Sequence, residues 1–166
     1  LQSPNDSTDA QPILGMRWMD IKGKTIRPET GGAYNIKEAE GVIRILQRLS
    51  VELGFEGSIG VTTPFHLQAD MITKALERDS ELRNHLELHN QILIDTVHKF
   101  QGREKDTIII TTVDDEVTDF SDDPYLLNVA ISRAKKKLCL VLSGNEQPAD
   151  SNIKDLVSYI EYHNFD

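Results

Sequence analysis

Apolar residues recur along this chain in two rhythms that alternate. From Asn35 the spacing is helical: Ala39, Val42, Ile43, Leu46, Leu49 and Leu53 share one stripe, Asn35 can cap it, Glu38 stands at the capping-box position, and Gly54 ends it. A second amphipathic helix carries Leu67, Met71, Ala75 and Leu76, and further helices are predicted over about 124–135, opening at Pro124, and over about 151–162. Between them lie short strands: Ser58 to Thr62, halted by Pro64; Ile92 to Val97; Thr107 to Val113; and Leu138 to Leu142. The last two are unbroken runs with no polar face, the pattern of strands buried on both sides in a parallel sheet. The alternation predicts an α/β fold with a three-layer, doubly wound, mostly parallel sheet. Residues 1–12, rich in Ser, Asn, Asp, Gln and Pro, predict a flexible linker before one domain over 13–166.

Composition narrows the picture. A chain of 166 residues with 39% hydrophobic content buries one sizeable core. Its net charge of -9 and pI near 5.0 exclude holding nucleic acid by an overall field, so any such contact must be local. The single cysteine, Cys139, lies in an apolar run and reads as a buried, inert thiol, since a nucleophile or metal ligand would need partners. No metal site is expected. Nothing near 18 consecutive apolar residues occurs, and the polar N-terminus excludes a signal peptide; the expectation is a cytoplasmic protein without a membrane. Leu1 in place of Met suggests a piece of something longer.

Ligands of doubly wound sheets bind outside the carboxyl ends of the strands, which directs attention to Thr62–His66, Thr96–Glu104, Asp114–Asp123 and Ser143–Gln147. Two nucleotide-site imitations fail there or nearby. Gly23–Lys24–Thr25 looks like the end of a phosphate loop, but the first glycine of that pattern would fall at Trp18. Ile108–Glu116 imitates a Walker B strand or a receiver-domain acidic pocket at Asp114 and Asp115, yet without a phosphate loop the first idea has no partner. The acidic stretch from Asp114 to Asp123 lacks the glycine of a calcium loop and reads as a solvated loop.

Two other segments are more informative. Polar and charged residues crowd Thr96–Val97–His98–Lys99–Phe100–Gln101–Gly102–Arg103–Glu104–Lys105–Asp106 before the buried strand resumes, although a polar turn around Gly102 would account for part of this. In Leu127–Asn128–Val129–Ala130–Ile131–Ser132–Arg133–Ala134, Arg133 comes one helical turn after Val129 and so borders the apolar stripe. A charge there requires either a structural carboxylate or an anion arriving from outside.

Taken in order, these residues resemble superfamily 1 helicases of the up-frameshift-like branch. Gly60–Val61–Thr62–Thr63–Pro64–Phe65–His66–Leu67–Gln68 is similar to motif IV, the 96–106 segment to motif V, and Leu127–Ala134 to motif VI; Tyr34–Asn35–Ile36–Lys37–Glu38–Ala39 is similar to the segment before motif IV. The resemblance spans about residues 15–145 and departs at His98, where many eukaryotic relatives carry Asp, although bacterial relatives often show His. It implies a RecA-like second motor domain without its own phosphate loop. The family's Walker A, Walker B and motif III residues would lie in an N-terminal RecA-like domain of the same parent chain. That first domain would bind most of the ATP with Mg2+. By motif correspondence Arg133 would be an arginine finger, Gly102 would let the backbone approach the nucleotide, and Glu104 would accept from the ribose. Thr62, Pro64, Phe65, Thr96, Val97 and His98 would line a track for single-stranded DNA or RNA, chiefly through backbone and hydroxyl contacts. The alternative is a non-catalytic α/β interaction domain that keeps the helicase scaffold.

Overall fold

The computed structural model describes residues 15–100, 103–144 and 147–164, so the linker expected over 1–12 lies outside the described residues, as does Gly102. Five strands, β1 (Gly15–Asp20), β2 (Ile59–Thr63), β3 (Ile92–Thr96), β4 (Lys105–Thr111) and β5 (Ala134–Leu142), form one sheet in the order β1-β5-β4-β2-β3. Every pairing is parallel. The helices are α1 (Ile36–Leu46), α2 (His66–Arg78), α3 (Ser80–His89), α4 (Tyr125–Arg133) and α5 (Asn152–Asn164).

Period-two alternation splits the strands' side chains between two cores. Ile109, Cys139 and Val141 face α1, α2 and α3, where they meet Val42, Leu46, Ile72, Leu82 and Leu86. Ile108, Ile110, Leu138, Leu140 and Leu142 face α4 and α5, against Leu126, Val129, Leu156 and Ile160. The result is the three-layer α/β architecture expected of the two rhythms, with the chain winding one way through β3 and back the other way from β4. Among the described residues no helix is long and apolar enough to cross a membrane.

Several elements differ from the sequence expectation, each for a local reason. The α1 stripe does run to Leu53, but from Gln47 to Glu52 its turns widen into a π-helix before Gly54 adopts φ 71°. Edge strand β1 was not expected; it carries only Met16 and Trp18 toward the α5 core, too short a repeat to stand out. Helix α3 presents just Leu82 and Leu86 and is started by Asp79, whose carboxylate accepts from Leu82 N–H at 3.2 Å. At the other end of the chain, α4 stops at Arg133 rather than near residue 135, and β5 begins at Ala134 because Ala134 already pairs with Lys105 of β4.

Candidate functional site at two edges of the sheet

At the carboxyl edge, a buried polar network joins four strand and helix ends. Asn35 caps α1 as its sequence position suggests, its side-chain oxygen accepting from Glu38 N–H at 3.1 Å. The reciprocal half of a capping box does not form: Asn35 N–H donates instead to Gln68 Oε1 at 2.9 Å. Glu38 turns inward. Its Oε1 accepts from Thr111 Oγ1 at 2.7 Å and from Val113 N–H at 2.9 Å, and its Oε2 accepts from Ser143 Oγ at 2.6 Å. Gln68 Nε2 donates to Thr111 Oγ1 at 3.1 Å, and Asn35 Nδ2 donates to Val113 O at 2.8 Å. Burial pushes the Glu38 carboxyl up to about 7, against the pull of those three donors, which favour the ionised form.

The network holds Val113 at φ 72°, a left-handed conformation that costs a β-branched residue about 1–3 kcal/mol. Both polar groups of that residue are held, N–H by Glu38 and C=O by Asn35, which turns the chain sharply as it leaves β4. Sequence reasoning named Glu38 and Gln68 but not this role. The signal was present: Glu38 precedes Val42 by one helical turn and so borders the buried stripe, as Arg133 does with Val129.

The phosphate-loop imitation is tied into the same edge. No helix starts at Gly23–Lys24–Thr25; α1 begins only at Ile36. Gly23 is there for close approach, since a Cβ would stand 2.2 Å from Asn35 Oδ1, and its N–H donates to Ser143 Oγ at 3.0 Å. Thr25 Oγ1 donates to Val113 O at 3.1 Å and accepts from Asp115 N–H at 2.7 Å. Asp114, the other half of the Walker B or receiver imitation, is buried, pairs with Arg27, and accepts from Thr118 Oγ1 at 2.6 Å. These acids are structural ties.

Motif-IV-like and motif-V-like residues meet beside this network. Thr63 pairs with Thr96 in the β2–β3 ladder, and Val97 N–H donates to Thr63 O at 3.0 Å. Thr62, Pro64, Phe65 and Val97 are buried. Phe65 lies under the Phe120 ring, centroids 4.9 Å apart, with the Arg27 guanidinium 5.9 Å from its own centroid. Thr62 Oγ1 is buried without a hydrogen-bond partner among the described residues. Thr96 is half-buried, and His98 is exposed. His98 Nε2 lies 2.7 Å from Asp123 Oδ2, and its ring meets Tyr125 edge-on at 4.8 Å. Asp123 also accepts from Tyr125 N–H at 2.9 Å, so one carboxylate orients both His98 and the first turn of α4. The crossover that follows can lie on the sheet only because residue 60 is glycine: a Cβ there would sit 2.1 Å from Phe100 Cζ.

The carboxyl-edge rule does not reach the remaining residues. Glu104 immediately precedes β4 and Arg133 immediately precedes β5, and the first residues of those strands, Lys105 and Ala134, are paired. Both side chains therefore stand at the amino edge, opposite the Thr62–His98 group. The reason is topological. The motif-V-like segment leaves β3 at the carboxyl edge and must return across the sheet before β4 can run parallel. Glu104 is exposed and Arg133 half-buried, and among the described residues neither forms a salt bridge.

Known proteins are similar to this chain along most of its length. A family model described as an AAA domain matches residues 2–146. The chain is 34% identical over 93% of its length to regulator of nonsense transcripts 1 of Dictyostelium discoideum, covering 12% of that protein. It is 34% identical over 79% of its length to an uncharacterized ATP-dependent helicase of Methanocaldococcus jannaschii, covering 18% of it. To the DNA replication ATP-dependent helicase/nuclease of Homo sapiens it is 33% identical over 68% of its length, covering 9%. The chain thus spans less than a fifth of each of these relatives. With helicases matching along most of its length and an all-parallel RecA-like sheet, the chain belongs to the AAA domain family, as a RecA-like domain of superfamily 1 helicases.

Proposed function

We propose that this domain is the second motor lobe of an ATP-dependent helicase, completing a nucleotide site with its amino edge and a single-strand track with its carboxyl edge. The observation that carries the reading is the juxtaposition of Glu104 and Arg133 at the paired starts of β4 and β5, with no carboxylate bound to Arg133 among the described residues. A cation bordering a core without a counter-ion suits an anion arriving from outside. These residues fit the polyphosphate and ribose ends of ATP, and the Mg2+ that accompanies the nucleotide is assigned, with most of its binding, to the first lobe. ATP supplies the free energy of phosphoryl transfer. Arg133 would bring positive charge to the phosphates, where negative charge grows during transfer, Glu104 would accept from the ribose hydroxyls, and the backbone at Gly102 would lie close to the nucleotide.

On the opposite edge the buried side chains of Thr62, Pro64, Phe65 and Val97 give shape to the strand ends. Contacts to a single strand, DNA or RNA, would then come from backbone groups there and from Thr96 and His98. Such contacts position a strand without reading its sequence, and they let an acidic domain serve a polyanion through a few local donors.

Phosphate release by the purified 166-residue chain, compared with a longer chain that adds the first lobe, tests the assignment. The expected result is background release from the short chain, whose described residues form no phosphate loop, and strand-stimulated turnover from the long one. Turnover by the short chain alone would overturn it.

A further inference from the structure

A groove of about 400 Å3 opens on the α1 side of the sheet, between β1, β5 and the π-helical end of α1. It is independent of the helicase reading. Lys137, at the amino end of β5, points to this side with Cys139 and Val141, and its ladder neighbours are Thr107 on β4 and Gly15 on β1. Gly15 contributes no side chain, and among the described residues a Cβ built there would meet nothing within 4 Å, which leaves room beside the Lys137 stem.

The polar groups here are incompletely matched. Lys137 is only 7% exposed and forms no salt bridge among the described residues. Burial and the nearby Arg17 push its amine down to about 8. At that value the amine still carries its proton at neutral pH. Thr107 is fully buried, and its Oγ1 has no hydrogen-bond partner among the described residues. Arg17, Arg44 and Arg48 join Lys137 around the groove, while its one carboxylate, Glu52, lies 2.9 Å from Arg48 Nη1. A strongly acidic chain thus gathers positive charge over an otherwise apolar slot. A buried ammonium and a buried hydroxyl that both lack a partner among the described residues are each unfavourable, and one anion would satisfy both. The volume and the apolar walls with a few convergent polar groups match small-molecule sites better than a surface for a folded partner.

We propose that this groove binds a small organic anion, a carboxylate or phosphate carried on an apolar body. Lys137, Arg17 and Thr107 Oγ1 take the head group, and Met19, Leu49 and Leu53 line the body. Titration of the 15N-labelled chain by NMR with octanoate, octyl phosphate, 1-octanol and inorganic phosphate tests this. The expected result is saturable shifts confined to residues 15–19, 49–53, 107 and 137–139, with at least one of the two amphiphilic anions binding tenfold or more tighter than octanol or inorganic phosphate. The better of the two identifies the head group. Lys137→Met, close in shape to the lysine stem, should weaken the anion tenfold and leave octanol unchanged; Arg17→Met on the edge strand carries the same test if that variant fails to fold. Octanol binding as tightly as the anions, inorganic phosphate matching them, indifference to both substitutions, or no saturable shift would each overturn the proposal.

Discussion

At the carboxyl ends of the strands almost every polar side chain is held by another, whereas at the amino ends of β4 and β5 Glu104 and Arg133 stand without an ion pair among the described residues. The first edge is stiffened: Glu38, Asn35, Gln68, Thr111 and Ser143 interlock in a low-dielectric setting where a satisfied network is strong and a broken one costly. At the second, Ser58 and Asp106 bond to each other, but the charges of Glu104 and Arg133 are left to solvent or to a ligand. The difference teaches what each edge suits. Backbone donors and hydroxyls position a ligand only if the chain carrying them does not move, so the carboxyl edge is built for rigidity. Under the proposed function, a charge that acts on another charge must instead remain unneutralised until that charge arrives, and Arg133 forms no ion pair among the described residues.

The sharpest way to separate the edges is Arg133→Ala in a longer chain containing both lobes. ATP turnover should fall by at least about a hundredfold, since arginine fingers contribute on the order of 10³ to 10⁵, while nucleotide binding changes little. Arg133→Lys should rescue poorly, because an ammonium lacks the planar fork. Melting of the 166-residue chain carrying Arg133→Ala supplies the control: an unchanged midpoint fits an arginine that waits for a ligand, and a large drop with near-normal turnover in the longer chain would show a structural role.

The converse break is Glu38→Ala, which strands the donors of Thr111, Val113 and Ser143 in the interior and should cost about 2–4 kcal/mol. Hydrogen exchange should rise around Val113 and Ser143 well before the start of β5 is affected; uniform loosening of both edges would contradict their independence.

A milder probe of the same network is pH. Glu38 has its carboxyl raised from 4.5 to about 7, so between those values the native state binds more protons than the unfolded chain. Stability from this group therefore falls as pH rises from about 4.5 to 7, by on the order of 1–3 kcal/mol, and levels off above. Thermal melts across that range, compared with Glu38→Gln, should reveal the slope in the parent and its loss in the variant.

The smallest effect belongs to His98→Ala. It removes an exposed side chain that Asp123 orients, and single-strand affinity of the two-lobed protein should drop a few-fold, about 1 kcal/mol or less, with little change in melting. An unaltered affinity would leave the track to backbone groups alone.

Much of this was legible from residue order. The stripe from Ala39 to Leu53 and the runs Thr107–Val113 and Leu138–Leu142 set the layers, because periodicities of 3.6 and 2 are local properties. Elements with only two inward apolar residues, β1 and α3, fall below that signal. Position along the chain also named Glu38, Gln68 and Arg133 as residues worth attention. Their partners were not readable: Glu38 reaches Thr111, Val113 and Ser143 across 73, 75 and 105 positions, so its apparent capping-box role yielded to contacts that exist only once the sheet has closed. The same holds for the edges. Whether a residue before a strand faces the carboxyl or the amino side depends on how the crossover from β3 to β4 traverses the sheet and on the pairing of Lys105 with Ala134. Local sequence determined which segments become helix, strand and core; long-range strand pairing alone decided that Arg133 and Glu104 share one edge and His98 stands at the other.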